Sequence, residues 1–225
     1  NSNKDFCKLK DTSSEDKQRA LEIYKALKNE YPNAKCELNW NTPHELLIAT
    51  ILSAQSTDIS VNKATPKLFL KFKTVEDYCN SSIDEIQSYI KTIGIYKNKS
   101  KFIFQSMKII RDKFNSEVPQ NMKSLLTLSG VARKTANVVL GNAFNKNEGV
   151  VVDTHVSRIS KRFLLTKHSD PINIELDLMS KFPRSKWTLL SHLMIFHGRA
   201  TCKARNNFCT NQSICRKFCS NFQTK

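Results

Sequence analysis

The residues best suited to chemistry are Lys134, Asp153 and four cysteines near the C-terminus. Lys134 follows Gly130 by four residues, and Asp153 comes 19 residues after Lys134, behind the run Val150-Val151-Val152. A neutral amine can attack an electrophilic carbon and remain joined to it as a Schiff base. A carboxylate held nearby can stabilise developing positive charge, or pass protons to and from the amine and water. Each residue also has a plainer reading: a solvated lysine in a first helical turn, and an aspartate capping a helix. Cys202, Cys209, Cys215 and Cys219 fall within 18 residues. Four clustered thiols without secretion signals suggest a metal or cluster rather than disulfides. The other three cysteines, Cys7, Cys36 and Cys79, are scattered and read as reduced or buried.

Elements must position these groups, and the hydrophobic spacing is helical throughout. Leu125 to Leu140 reads as helix, tight turn, helix, broken at Ser129-Gly130, with Val131, Thr135, Val138 and Val139 recurring near helical spacing. Such a turn leaves the first N–H groups of the second helix open to a phosphate. Ala20, Ile23, Leu27 and Tyr31 mark an N-terminal helix that stops before Pro32. Thr42-Pro43 opens a second, apolar on most sides and therefore central. Ser53 to Thr57 interrupts it, and Asp58 is placed to cap a third helix bearing Ile59, Val61, Leu68 and Phe69. Short helices follow near Val75 to Cys79 and Ile83 to Ile90. After the turn at Thr92 to Tyr96, Lys97 to Phe114 reads as a long basic helix with Phe102, Ile103, Met107, Ile110 and Phe114 inward. Ser157 to Leu165, Ile174 to Phe182 and Trp187 to Phe196 complete the series. Val150 to Val152 has strand propensity but no partner strand nearby. No repeat and no strand–helix alternation is legible, so periodicity alone gives an all-α chain.

Composition bounds the function. The chain has 225 residues, 40% hydrophobic and 25% charged, as a soluble globular protein would be. Its net charge of +16 predicts an anionic partner, although the same charge serves solubility. No apolar run approaches the ~20 residues of a membrane helix, and no basic amphipathic anchor stands out, which argues against a membrane. No signal peptide is legible. The chain begins at Asn1 rather than Met, which leaves room for upstream residues, a targeting segment among them.

Ser129-Gly130-Val131-Ala132-Arg133-Lys134-Thr135-Ala136 resembles the helix-hairpin-helix of the endonuclease III family of DNA glycosylases, usually Leu-Pro-Gly-Val-Gly-Arg-Lys-Thr-Ala. Val152-Asp153-Thr154-His155 is similar to that family's catalytic aspartate motif, Ser53-Ala54-Gln55 to its Ser-Ala-Gln, and Gly94-Ile95-Tyr96 to its Gly-Leu-Tyr turn. The resemblance runs from roughly Glu45 to Cys219. It implies a two-lobed, all-α helix-hairpin-helix DNA glycosylase fold with the active site between the lobes. A six-helix barrel lobe would span 36–146. A discontinuous lobe, 1–35 plus 147–225, would carry an iron–sulfur cluster. The implied activity is that of a bifunctional glycosylase and abasic-site lyase of base excision repair. It would act as a monomer on duplex DNA containing oxidised pyrimidines or abasic sites, in the cytoplasm (nucleoid) of a bacterium, or the nucleus or an organelle of a eukaryote. Lys134 would be the nucleophile, since relatives that only remove the base have another residue there. Asp153 would stabilise charge.

The residues implied at the DNA are Gln55, which fills the gap left by a flipped nucleotide, the wedge Ile95, Lys99, the hairpin residues Gly130, Val131, Ala132 and Arg133, and Thr154 and His155. The family's cysteine spacing is C-x6-C-x2-C-x5-C, and this chain reads C-x6-C-x5-C-x3-C, with Gln212 where a cysteine is expected. The resemblance places a [4Fe–4S] cluster on Cys202, Cys209, Cys215 and Cys219; zinc ranks next and no metal last. Lys203, Arg205, Arg216 and Lys217 around it would meet the DNA backbone, or form a solvated face. The hairpin departs from the family at Ser129 and Ala132, and a methyl at Ala132 would crowd a phosphate or strain the turn if its φ is positive. Two rivals remain: a mismatch- or adduct-specific glycosylase of the same superfamily, and a non-catalytic DNA-binding module.

Overall fold

A computed structural model describes residues 11–205 and 213–222. Among them it contains α-helices, one 3-10 turn and no strand. None of these helices is long and apolar enough to cross a membrane. The chain divides into two compact units. One is Glu37–Lys146; the other takes the described residues of Asn1–Cys36 and Asn147–Lys225.

The unit α1 (Ser14–Glu30), α9 (Thr154–Arg162), α10 (Pro171–Lys181), α11 (Trp187–Ala200) and α12 (Ser213–Phe218) packs α11 against α1 and α9. Ile23, Leu27, Phe163, Leu178, Leu190 and Leu193 meet in its core, all fully buried. Its helices start on local caps, Ser13 for α1 and Asp170 for α10, each accepting a backbone N–H two or three residues into the helix. Val150, Val151 and Val152 are buried, but they form no sheet: the Val151 N–H donates to Ser191 Oγ on α11 at 3.0 Å. α12, absent from the periodicity reading, puts Cys215 inside a helix of only six residues.

The second unit is built on α2 (Pro43–Ser53), whose Glu45 to Leu52 are all buried. α2 packs on α3 (Asp58–Lys71), α6 (Tyr96–Phe114) and α8 (Arg133–Ala143). α4 (Val75–Cys79) and α5 (Ile83–Ile90) lie on α6, and the four-residue α7 (Met122–Leu125) opens the hairpin onto α8. Six helices plus this short one make the unit. Thr57, not Asp58, caps α3: its Oγ1 accepts the Ser60 N–H at 3.2 Å, and Asp58 becomes the first helical residue. Ile59 lies on the solvent side of α3, opposite the buried Val61, Ala64, Thr65 and Leu68. Phe102 is likewise partly outward rather than core: it is 37% exposed even though the hairpin turn lies against one side of its ring.

Candidate active site

The hairpin is anchored by Leu125, Leu128 and Val131, all buried. Between them Gly130 takes φ +73°, the left-handed region that glycine enters cheaply. A Cβ here would stand 2.7 Å from two Phe102 ring atoms and 2.8 Å from Phe102 Cβ, so close approach to α6 also demands glycine. Ser129, standing where the family has proline, ties the turn to α6 on both sides. Its Oγ donates to Gln105 Oε1 at 2.7 Å and its carbonyl accepts from buried Ser106 Oγ at 2.8 Å.

Ala132 has φ −98° and ψ 174°, so the turn is not strained at this methyl. It is the N-cap of α8 and makes no side-chain cap hydrogen bond, and a helix start of this kind suits an anion. The Val131 N–H is not among the available donors, because it closes the turn on Leu128 O at 3.3 Å. Arg133 and Lys134 are the first two residues of α8, half-buried and exposed respectively. Lys134 thus stands in solvent at the start of α8.

Asp153 caps α9 with extended backbone, and its Oδ1 accepts the Val156 N–H at 2.8 Å. The buried valines before it and the cap after it leave the carboxylate little freedom. Thr154 is exposed at the first position of α9. His155 is held more tightly than a free DNA contact would be: it packs on Gly198, where a Cβ would lie 2.5 Å from its Nδ1, and that nitrogen accepts from Arg158 Nη2 at 3.0 Å. Thr154, Ser157, Arg158, Lys161, Arg162 and Asn221 line a basic recess along α9.

Gln55 and Ile95 are both exposed, on tips that approach each other within the Glu37–Lys146 unit. Both are non-glycine residues in left-handed backbone, φ +55° and +59°. Bulky residues rarely hold that conformation unless their surroundings enforce it. A Cβ on Gly94 would touch Ser56 Oγ at 3.7 Å and the Gln55 carbonyl at 3.9 Å, so the two tips lie side by side. Lys99, expected at the DNA, is instead buried at 4% exposure. Its Nζ donates to Leu52 O at 2.8 Å and Ser56 Oγ at 3.0 Å. Helix α6 turns this side chain inward, toward the end of α2, where an unmatched carbonyl receives it.

Three of the four candidate ligand cysteines are described; Cys209 lies outside the described residues, as does Gln212. Cys202 and Cys215 are buried and Cys219 is half-buried one helical turn after Cys215. Among the described residues no three His, Cys, Asp or Glu side chains gather as a metal site. The thiols nevertheless have donor-rich surroundings. Arg162 Nη1 donates to Cys202 Sγ at 3.0 Å, and Arg158 donates through Nε and Nη2 to the Cys202 carbonyl at 3.0 and 2.7 Å. His197 Nε2 lies 3.5 Å from Cys215 Sγ and its Nδ1 3.0 Å from the Tyr31 hydroxyl. Burial, with Arg158 adding to it, pushes the His197 imidazole down to about 4.

Sequence reasoning missed Arg158, Arg162 and Tyr31 as partners of this region. The i, i+4 spacing of the two arginines on α9 was the available signal. Of the basic residues expected at DNA here, Lys217 pairs with Glu22 at 3.1 Å and Lys203 donates to the Arg199 carbonyl.

Residues 48–184 match the family described as HhH-GPD superfamily base excision DNA repair protein. The chain is 51% identical over 193 residues to endonuclease III of Synechocystis, spanning 86% of this chain and 88% of that protein. A non-covalent endonuclease III–DNA complex aligns with TM-score 0.85 at 40% identity, covering 91% of this chain and 95% of that one. A trapped covalent endonuclease III–DNA intermediate aligns with TM-score 0.80 at 42% identity, covering 84% and 89%.

Proposed function

The chain belongs to the HhH-GPD superfamily of base excision DNA repair proteins, and from that premise we propose that it releases oxidised pyrimidines from duplex DNA and nicks the strand 3′ to the site. It is a bifunctional DNA glycosylase and abasic-site lyase of the endonuclease III kind. The two rival readings, a mismatch- or adduct-specific glycosylase and a non-catalytic binding module, are not favoured.

The observation that carries the mechanism is an exposed lysine on the second residue of an uncapped helix N-terminus, four residues beyond a left-handed glycine. That N-terminus and the Gly130 turn would hold the phosphate backbone, and Lys134 would stand where the sugar is presented. Its neutral amine forms a bond to C1′ while the C1′–N bond breaks, and the base leaves with the electron pair and takes a proton from water. The bonded nitrogen then gives a proton to O4′ through Asp153 or water as the C1′–O4′ bond breaks, which leaves the open-chain sugar joined to Lys134 as a protonated Schiff base. Loss of a C2′ proton expels the 3′ phosphate by β-elimination, and water releases the lysine. Asp153, fixed by its cap bond to Val156, would stabilise positive charge on the sugar as the base leaves and accept protons in later steps. Gln55 and Ile95 would fill the gap left by the flipped nucleotide. The enzyme would act as a monomer.

Cys202, Cys209, Cys215 and Cys219 would hold a [4Fe–4S] cluster. Donors beside two of the thiols support this reading: anionic thiolates need nearby donors, and Arg162 and His197 stand at Cys202 and Cys215. When bound, the cluster would close the C-terminal segment. Borohydride trapping on a duplex with one oxidised pyrimidine tests the whole reading. The native chain should cross-link to the lesion strand, and Lys134→Gln should neither cross-link nor nick while melting normally. Undiminished trapping by Lys134→Gln overturns the nucleophile assignment.

A further inference from the structure

Lys99 is bonded to both exposed tips. Its own backbone N–H donates to the Ile95 carbonyl at 3.2 Å, in the first turn of α6. Its ammonium reaches across to Leu52 O and Ser56 Oγ, the residues on either side of the Ala54-Gln55 bend. Leu52 lies in the last turn of α2, where carbonyls lack intrahelical partners and the helix end favours a cation. α2 is also the most completely buried helix of its unit, so the anchor at Leu52 is rigid. A lysine is an expensive choice for this place. Burial disfavours its charge, and its two acceptors are a carbonyl and a hydroxyl rather than a carboxylate. A residue kept inside under those conditions must be doing something a methionine would not.

Beyond the bend, Gln55 and Ile95 hold left-handed backbone, and Ile95 is 52% exposed. Neither conformation is favoured by its own residue type, and the α6 start has no side-chain cap of its own. Something in the unit has to hold both tips in these conformations. We propose that Lys99 is a positioning residue that locks the Gln55 bend to the Ile95 turn, its side chain holding one and its backbone the other. The two tips then enter the duplex as a single rigid fork, with their separation set before DNA arrives. The proposal rests on the reading of Gln55 and Ile95 as the groups that fill the gap.

The test is single-turnover kinetics on two substrates: a paired oxidised pyrimidine, and a preformed abasic site in the same sequence. Lys99→Met keeps the buried stem and removes both side-chain bonds. It should slow base release from the paired lesion by about tenfold and change abasic-site nicking by less than about twofold. Ser56→Ala removes one of the two bonds and should give a smaller loss in the same direction, which decides the matter should Lys99→Met fail to fold. In a Gln55→Ala background, Lys99→Met should add less than it does in the native chain, since part of what it positions is gone.

Equal slowing on both substrates would mean a merely structural role and overturn the proposal. So would full additivity with Gln55→Ala, or native rates for both Lys99→Met and Ser56→Ala while Gln55→Ala is slow. If Gln55→Ala and Ile95→Ala both release the paired base at the native rate, it is the gap-filling reading that fails, a result distinct from the others.

Discussion

Gly130→Ala tests whether the hairpin is held by one glycine rather than by the family's two. At φ +73° an alanine costs about 1 kcal/mol through its Cβ and the following carbonyl. The new Cβ would also sit 2.7 Å from Phe102 Cγ and Cδ2 and 2.8 Å from Phe102 Cβ. Swinging the ring about its Cα–Cβ bond relieves the first two contacts but not the third, so the turn has to move off α6, adding roughly 2 kcal/mol. The sum is a loss of about 3 kcal/mol, read as a fall in the urea midpoint. Because Lys134 lies four residues beyond the turn, borohydride trapping at an abasic site should fall with it. Phe102→Ala in the same chain should recover the ring contacts only, giving partial rescue. Ala132→Gly is the control: its φ of −98° suits any residue, so stability should stay within about 0.5 kcal/mol of native. The reasoning is refuted if Gly130→Ala is as stable as native, or if Ala132→Gly changes stability as much as Gly130→Ala does.

Asp153→Asn and Asp153→Ala should separate cap from chemistry. Asparagine caps nearly as well, so Asp153→Asn should melt like native yet turn over far more slowly, whereas Asp153→Ala should also lose about 1 kcal/mol of stability; equal turnover in Asp153→Asn and native would leave Asp153 only a cap. Purified protein should be yellow-brown with about four irons per chain, and stoichiometric zinc without visible absorbance would contradict the cluster. Burial pushes the His192 imidazole down to about 4 from its ordinary 6.5. Between those values the unfolded chain binds a proton that the folded chain refuses. Its contribution is therefore complete above pH 6.5 and lost as pH falls toward 4, by up to about 3 kcal/mol. Urea midpoints at pH 7.5 and 5 should show the loss, and His192→Gln should shrink it; an unchanged pH dependence in that variant would remove His192 as its source.

The chemistry-bearing residue types were legible in sequence because they sit in short local motifs. The Gly130 turn and the Asp153 cap depend on neighbours within a few positions, so Lys134 and Asp153 could be placed at helix starts without any tertiary information. The buried stripe of α2 was equally plain, since an apolar run too short to span a membrane has only a core to enter. Long-range choices were not legible. Nothing local indicates that Lys99 turns inward, because a lysine on a basic helix reads as surface until the unmatched Leu52 carbonyl is found 47 residues away. Ala132 could not be judged until its φ was known, and Phe102 reads as core although its ring stays partly exposed beside the hairpin. Arg162 meets Cys202, and Arg158 its carbonyl, across 40 and 44 positions of chain, a juxtaposition that only the packing of α9 against α11 creates. Sequence spacing sets which side chains share a helix face. Which unpaired carbonyl, thiol or ring waits opposite that face is decided by tertiary packing, where a buried donor must find an acceptor or stay unsatisfied.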